Sequence, residues 1–374
     1  MSLIEDARNR MLEHSKAKVE LYRRYLSIYL NVLKRVQFIN KIYLYDLFAG
    51  EGEYGKGEFG SPIESLNCIK NHYFANNKHC KGIQFLINDS RYSDIEPGKL
   101  KIHRIEEIAS TIFQPPNLKI IYNNLDYSQI LPLIIQEINN LSANERALIF
   151  IDPWGYKEIN PKEIKSLFDS RNVEIILFLP ISFMYRFSEK ALTDDFPEGK
   201  ALQLFFKELL GNQKPNTLSV HDYINDIKEK FVLLLETKYI ATFKIQRDKT
   251  NYFCLFFFSH NKKGFQKMID AKWSVDKESG KGFRLDKTLT LFGEDELQDY
   301  ESKLFNYISI EKKRTNQELL DFGYENELLP KHTTSALNKL LEKDLIERIS
   351  ADNKPVRGFY ISDEPRTILI NKRK

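Results

Sequence analysis

The stretch from Ile42 to Pro62, IYLYDLFAGEGEYGKGEFGSP, constrains this chain more than any other. Four strand-forming residues, Ile42-Tyr43-Leu44-Tyr45, end on a carboxylate, Asp46, and the chain then breaks into a loop with glycines at 50, 52, 55, 57 and 60. Glycine lets a backbone come close to a ligand, and a helix that follows such a loop points free N–H groups at it. The pattern predicts a nucleotide-type pocket at the carboxyl end of a buried strand, with Asp46, Phe48, Gly50 and Gly52 as candidate contacts. Gly50, Gly52 and Gly55 also fit G-x-G-x-x-G, but so short a pattern arises by chance in surface turns.

More strands follow at the spacing of an α/β fold. Ile83–Ile87 reads as a strand ending at Asn88-Asp89, Leu118–Tyr122 as one ending before Asp126, and Ala147–Ile151 and Val173–Leu179 as strands buried on both faces. Helical patterns lie between them: Pro62 to Phe74, a patchier one from about Pro97 to Phe113, Leu131 to Leu141 and Pro161 to Ser170. This predicts a doubly wound, Rossmann-like sheet over 1–290, preceded by a helical segment (1–40) whose stripe Tyr22, Tyr25, Tyr29 and Leu33 suits a core. Residues 182–235 read as a helical cover. Tyr239–Gln246 and Tyr252–Ser259 read as a late strand pair, 261–273 as a helix, and the basic, glycine-containing run Lys272–Lys287 as a loop or linker. The crevice outside the strand ends then collects Asp46, Asp89, Asp126 and Asp152.

The C-terminal part, 291–374, changes character. Helical patterns at 295–309, after the capping signal Thr315-Asn316-Gln317-Glu318, and from His332 onward precede Ile346–Ile349, which turns through 351–355 into Gly358–Ile361. Three helices and a hairpin predict a winged helix, whose third helix enters the major groove of DNA by its N-terminal end. Lys331, Thr333, Thr334, Lys339 and Arg357 are the candidate nucleic-acid contacts, joined by His332 and Lys354. The same fold also docks proteins, and Glu342, Asp344 and Glu347 dilute its charge.

A net charge of +4 on 374 residues permits a local nucleic-acid patch without predicting one over the whole surface. Cys68, Cys80 and Cys254 contain no C-x-x-C, so neither a disulfide framework nor a zinc finger is encoded, and Cys68, His72, His79 and Cys80 lack thiolate-pair spacing for a metal. The charged start MSLIEDARNRMLEH and the short apolar runs predict a cytoplasmic chain without a membrane span.

The segment Asp152-Pro153-Trp154-Gly155 decides between two nucleotide chemistries. A nicotinamide enzyme wants an acid about 20 residues beyond the glycines, and Asp89 lies much farther on. S-Adenosylmethionine carries a sulfonium and an ammonium, which favour an acid such as Asp46, while Asp89 and Asp126 would meet its ribose and adenine. Methylation of a base amine needs the nitrogen lone pair localised. An Asp152 oxygen and a Pro153-constrained carbonyl accepting the amine hydrogens would do this, with Trp154 stacked on a flipped base.

These blocks, D-L-F-A-G-E-G-x-Y with G-S-P at 60–62, I-D-P-W-G at 151–155, and the run from Tyr252 to Trp273, resemble the three-Cys-motif partner proteins over most of the first 290 residues. The resemblance implies a methyltransferase-like protein of a bacterial mobile-element or defence setting, encoded beside a cysteine-motif protein that carries the cysteines. It leaves open a non-catalytic adaptor that docks that partner through the winged helix. The acid-proline-aromatic segment is also similar to that of amino-methyltransferases of adenine and cytosine. Those enzymes usually carry a second proline or a final aromatic where this chain has Trp154-Gly155.

Overall fold

A computed structural model describes residues 10–55, 57–73, 81–155, 157–191, 199–211, 213–215, 217–248, 250–283, 293–350, 352, 354–362 and 367–372. The chain divides into two compact units, Met1–Ala271 with Gly282–Leu285, and Lys272–Lys281 with Asp286–Lys374.

The apolar runs become the sheet of the first unit. In chain order its strands are β1 (Lys41–Asp46), β2 (Glu53–Tyr54), β3 (Glu58–Phe59), β4 (Gly82–Asn88), β5 (Leu118–Asn123), β6 (Glu145–Ile151), β7 (Val173–Leu179), β8 (Ile240–Gln246), β9 (Tyr252–Ser259) and β10 (Gly282–Phe283). Eight of them form one mostly parallel sheet in the order β10-β8-β9-β7-β6-β1-β4-β5. Only β9 runs antiparallel, paired with β7 on one side and β8 on the other. Every residue of β7 is buried, as a strand covered on both faces requires. The small β2–β3 ribbon lies inside the glycine loop.

The helices are α1 (Glu13–Arg35), α2 (Ser61–Tyr73), α3 (Lys101–Ser110), α4 (Tyr127–Asn139), α5 (Pro161–Phe168), α6 (Ile181–Ala191), α7 (Lys200–Leu210), α8 (Val220–Leu235) and α9 (Lys262–Val275). The tyrosine stripe of α1 is core: Tyr22 stacks on Phe150 with centroids 4.3 Å apart, and Tyr25 meets Phe257 edge-on at 4.8 Å. The other face is packed by the cover helices, where Met184, Phe205, Phe206, Tyr223 and Phe231 share one apolar cluster with Ile149, Leu177, Phe256 and Phe258.

The expected linker at 272–287 is not a plain loop. Lys272 to Val275 complete α9, and Gly282-Phe283 add β10 beside Lys244 and Ile245. The fit there is close, since a Cβ on Gly282 would lie 2.1 Å from the Lys244 carbonyl oxygen. Residues 284–287 lie outside the described residues.

The second unit contains α10 (Gly293–Glu311), β11 (Lys313–Thr315), α11 (Asn316–Glu325), α12 (Pro330–Glu342), β12 (Ile346–Ser350) and β13 (Ile368–Lys372). Its antiparallel sheet has the order β11-β13-β12. The capping signal is real: the Thr315 hydroxyl accepts from the Glu318 N–H at 3.2 Å, and the Glu318 carboxylate accepts from the Thr315 N–H at 2.7 Å. The hairpin differs from expectation. β12 pairs with Ile368–Lys372 rather than with 358–361, because Ile368 and Ile370 alternate into the core, fully buried. Phe359 and Ile361 are also buried, but without strand pairing apart from a single Ile349–Pro355 bridge nearby.

Within this unit the Lys272 ammonium is buried against the Glu327 carboxylate, and the Trp273 indole N–H donates to the Glu327 carbonyl at 2.8 Å. Removing one member of a buried pair strands the other charge. Lys272→Met is expected to lower stability by about 3–5 kcal/mol, and the double variant with Glu327→Met to recover most of it, as read from urea unfolding.

Candidate active site

The strand order reverses at β1. From β1 the sheet grows through β4 to β5 on one side and through β6 and β7 on the other, so the crevice outside the carboxyl ends of β1 and β6 is the switch point of the sheet. Asp46 is the last residue of β1, in register with Ile87 of β4 and Phe150 of β6. Its side chain is fully buried, and among the described residues no well-formed hydrogen bond reaches either carboxylate oxygen. Burial pushes this carboxyl up to about 7, and the nearby Asp152 and Asp89 add to the rise. The Ser61 hydroxyl and Phe48 N–H, close enough to favour the charged form, offset only part of it.

The glycine loop is built around Asp89. One of its carboxylate oxygens accepts from the Gly50 N–H at 2.9 Å, the other from the Arg91 N–H at 2.9 Å, so the β1 loop and the β4 turn are joined through one side chain. Burial raises the Asp89 carboxyl despite these bonds. Gly50 (φ 70°) and Gly52 (φ 75°) hold left-handed conformations, and a Cβ on Gly52 would lie 2.8 Å from Ile105 Cγ1. The glycines thus serve first to fold the loop tightly over α3.

What pins the loop there is a cluster that sequence reasoning missed. Glu51, only 4% exposed, accepts from the Ser93 hydroxyl at 2.7 Å and the Asp94 N–H at 2.8 Å. It also faces Lys101 at 3.5 Å and Arg104 at 3.7 Å. Arg104 donates besides to the Glu51 and Glu53 carbonyls. The available signal was the i, i+3 pair of cations in the first turn of α3, opposite an acid flanked by glycines. Tyr54 sits among Glu51, Asp152 and Asp89, and burial with those carboxylates pushes its hydroxyl up to about 12.

Asp152 follows β6 on a turn with Pro153 buried and Trp154 67% exposed. The Asp152 carboxylate is ion-paired with Lys18 of α1, whose ammonium also lies 4.6 Å from the Phe178 ring centroid. The Trp154 ring carries two cations, Arg91 at 4.8 Å and Lys101 at 4.9 Å. Lys101 therefore belongs to both the loop clamp and the indole. Phe48 stacks on Tyr127 at 5.2 Å beside the loop.

Asp126 is exposed at the start of α4, where its N–H donates to the Gln129 side chain at 3.1 Å. The residue that ties this strand end to the crevice is Asn88. Its amide donates to the Leu47 and Leu125 carbonyls at 3.2 and 2.9 Å. Cys68 is buried with its thiol on the Arg23 carbonyl, and His72 bonds the Ser27 hydroxyl at 2.8 Å; His79 and Cys80 lie outside the described residues.

In the second unit Lys331, Lys339, Lys354 and Arg357 are exposed, and Thr334 is half-buried with its hydroxyl on the Pro330 carbonyl at 3.0 Å. Thr333 must be corrected. It is fully buried, its hydroxyl paired with that of Tyr300 at 2.8 Å, because it shares the inward face of α12 with Ala336, Leu337 and Leu340. His332 is held too: its Nδ1 accepts from the Leu329 N–H at 3.1 Å, and burial with Lys331 nearby pushes it down to about 4.

No family model matches the chain, and no curated protein matches it. Three solved structures are similar at low identity. A Legionella pneumophila protein of family DUF519 is 12% identical, with 71% of this chain and 92% of that one covered, at a TM-score of 0.39. The plantazolicin methyltransferase BamL, in complex with a triazolic desmethylPZN analog and SAH, is 12% identical over 74% of this chain and 82% of its own, at 0.32. A Klebsiella pneumoniae protein provisionally described as an O-methyltransferase is 11% identical over 65% and 90%, at 0.28. No helix among the described residues is long and apolar enough to cross a membrane.

Asp46 is raised in the folded chain above its ordinary value of 3.8, so folding favours its neutral form. The resulting penalty is absent below about pH 4 and grows as pH rises toward about 7. Asp46→Asn should therefore gain stability relative to the parent at pH 8, by about 1–4 kcal/mol, and little at pH 4.5. Equal gains at both pH values in urea unfolding would exclude the titration. Thr333→Val is expected to cost about 1–3 kcal/mol by stranding the Tyr300 hydroxyl.

Proposed function

We propose that the chain is an S-adenosylmethionine-dependent methyltransferase that acts on a nucleic-acid base amine. The observation that carries this reading is Asp46, a buried carboxylate at the switch point without a hydrogen bond among the described residues, with a tightly folded glycine loop on one side and the Asp152-Pro153-Trp154 turn on the other. A buried orphan carboxylate is costly unless a ligand satisfies it, and the sulfonium–ammonium donor has the charge to do so. Asp46, Phe48, Gly50 and Gly52 would hold its amino-acid portion, Asp89 its ribose and Asp126 its adenine side. The bound donor supplies the activated methyl group.

The chain's own residues supply the rest. The Asp152 carboxylate and the Pro153 carbonyl accept the two amine hydrogens, which turns the nitrogen lone pair toward the methyl group. Trp154 offers an exposed face for the base, with Arg91 and Lys101 adding positive charge beside it. Lys18 keeps the Asp152 carboxylate in place before the amine arrives. We read the second unit as a winged helix from its order of helix, strand, two helices and two strands. Lys331, Thr334, Lys339 and Arg357 would then contact nucleic acid, chiefly through phosphates.

The Lys18–Asp152 pair also favours a second reading, since a carboxylate already neutralised is what a non-catalytic descendant would keep. That protein would bind the cofactor and dock a cysteine-motif partner through its winged helix. Calorimetric titration with S-adenosylmethionine separates these from every other reading: binding is expected, with Asp46→Ala weakening it more than tenfold, and no heat with the parent protein overturns both. Transfer of labelled methyl groups to DNA or RNA that is lost in Asp152→Ala, with cofactor affinity kept, selects the enzyme.

A further inference from the structure

A second cavity lies at the opposite, amino-terminal edge of the sheet, away from the crevice. It has a volume of about 280 Å³, just below the ~300–1,000 Å³ usual for small-molecule sites. That suits one nucleoside-sized ligand better than a dinucleotide. Its walls are apolar and aromatic, with Tyr25, Tyr29, Leu33, Val36 and Phe38 from α1 and the turn after it. At its inner end is Glu174 of β7, 8% exposed, a residue the crevice does not use.

Glu174 is built in with care. Its carboxylate accepts from the Tyr25 hydroxyl and, at 2.8 Å, from the Ser259 hydroxyl. Each oxygen keeps a further lone pair. A Cβ on Gly264 would come 1.9 Å from one of these oxygens, so the glycine at the start of α9 makes room for the acid. Burial pushes this carboxyl up to about 7. The outer end is cationic: Arg146, Arg171, Lys263 and Lys267 line it, with Lys267 shared with Asp270 at 2.7 Å. A polar cavity of about 360 Å³ shares Arg171 and Asn261 with this end and adds Lys238 and His260; its one acid, Glu236, faces Lys165 at 3.5 Å.

This arrangement of charge excludes most occupants. A fatty acid entering head-first would bring its carboxylate against Glu174, a hydrocarbon would leave the acid unsolvated, and a simple cation would have to cross a positive rim. What remains is a flat, apolar body with N–H donors at its inner end and an anion at its outer end. The geometry points to a binding site for a guanine mononucleotide. The adjacent ring and exocyclic N–H groups of guanine would be accepted side by side by the two Glu174 oxygens, with the phosphate among Arg171 and its neighbours.

Titration calorimetry of the full chain with GMP, IMP, AMP and inorganic phosphate tests this. GMP is expected to bind, IMP, which lacks the exocyclic amine, at least tenfold more weakly, and AMP and phosphate more weakly still. Glu174→Gln should reduce GMP affinity at least tenfold and erase the preference over IMP. Arg171→Ser, a change at an exposed position, should weaken GMP and lessen the salt dependence of its binding. No GMP binding, equal binding of GMP, IMP and phosphate, or unchanged affinity in either variant would overturn the assignment. If Glu174→Gln does not fold, Arg171→Ser and the GMP-to-IMP ratio of the parent decide it.

Discussion

Among the described residues the Asp46 carboxylate makes no hydrogen bond, although the Ser61 hydroxyl and the Phe48 N–H lie near it. It ends a strand whose residues are buried from Ile42 onward, in a sheet whose order reverses at that strand. An isolated charge in such a place is disfavoured, and the carboxyl responds by holding its proton to about neutral pH. Nearby acids would be expected to pair or to be solvated. Asp89 and Glu51 are satisfied by N–H and hydroxyl groups, and Asp152 by Lys18. One acid of the four is left open, at the point where a cleft in a doubly wound sheet concentrates ligands.

Keeping that acid open requires a rigid frame. The loop beyond Asp46 contains little that could pack by itself, so its shape is imposed from outside by α3 through Glu51, Lys101 and Arg104, and from β4 through Asp89. Buried ionic groups of this kind contribute little net stability but define geometry when each member is bonded. Lys101 also approaches Trp154, so the loop that would carry a methyl donor and the turn that would carry its acceptor share one side chain.

Much of this was legible beforehand. The five apolar runs, the late strand pair and the tyrosine stripe announced themselves by period, because burial on one or two faces leaves a regular pattern in a chain. Asp46 and Asp152 stand out in the sequence because strand ends are the places where a sheet presents side chains to a cleft. Lys101, Arg104 and Lys18 do not, since a cation between apolar residues of a helix looks like solvated surface until its long-range partner is known, and Glu51 looks like one more polar residue of a glycine loop. The second unit shows the same limit. The Thr315–Glu318 cap is local and was read correctly, whereas β13 lies beyond a long connection, and the nearer apolar run at 358–361 attracted the pairing that β13 makes. Thr333 reads as a groove contact because it lies near the N-terminal end of the third helix, though a hydroxyl with a buried partner is at home in a core.

The single antiparallel strand has a consequence for how the chain is made. β7, apolar along its whole length, leaves the ribosome long before β9, which closes its open edge, and the three cover helices are synthesised in between. During that interval the growing chain carries an unpaired, sticky strand edge of the kind that recruits wrong partners. The helices α6, α7 and α8 pack on a face of the sheet and leave that edge open until β9 arrives. Synthesis that pauses between Leu179 and Tyr252 exposes the protein to misassembly more than a pause anywhere later.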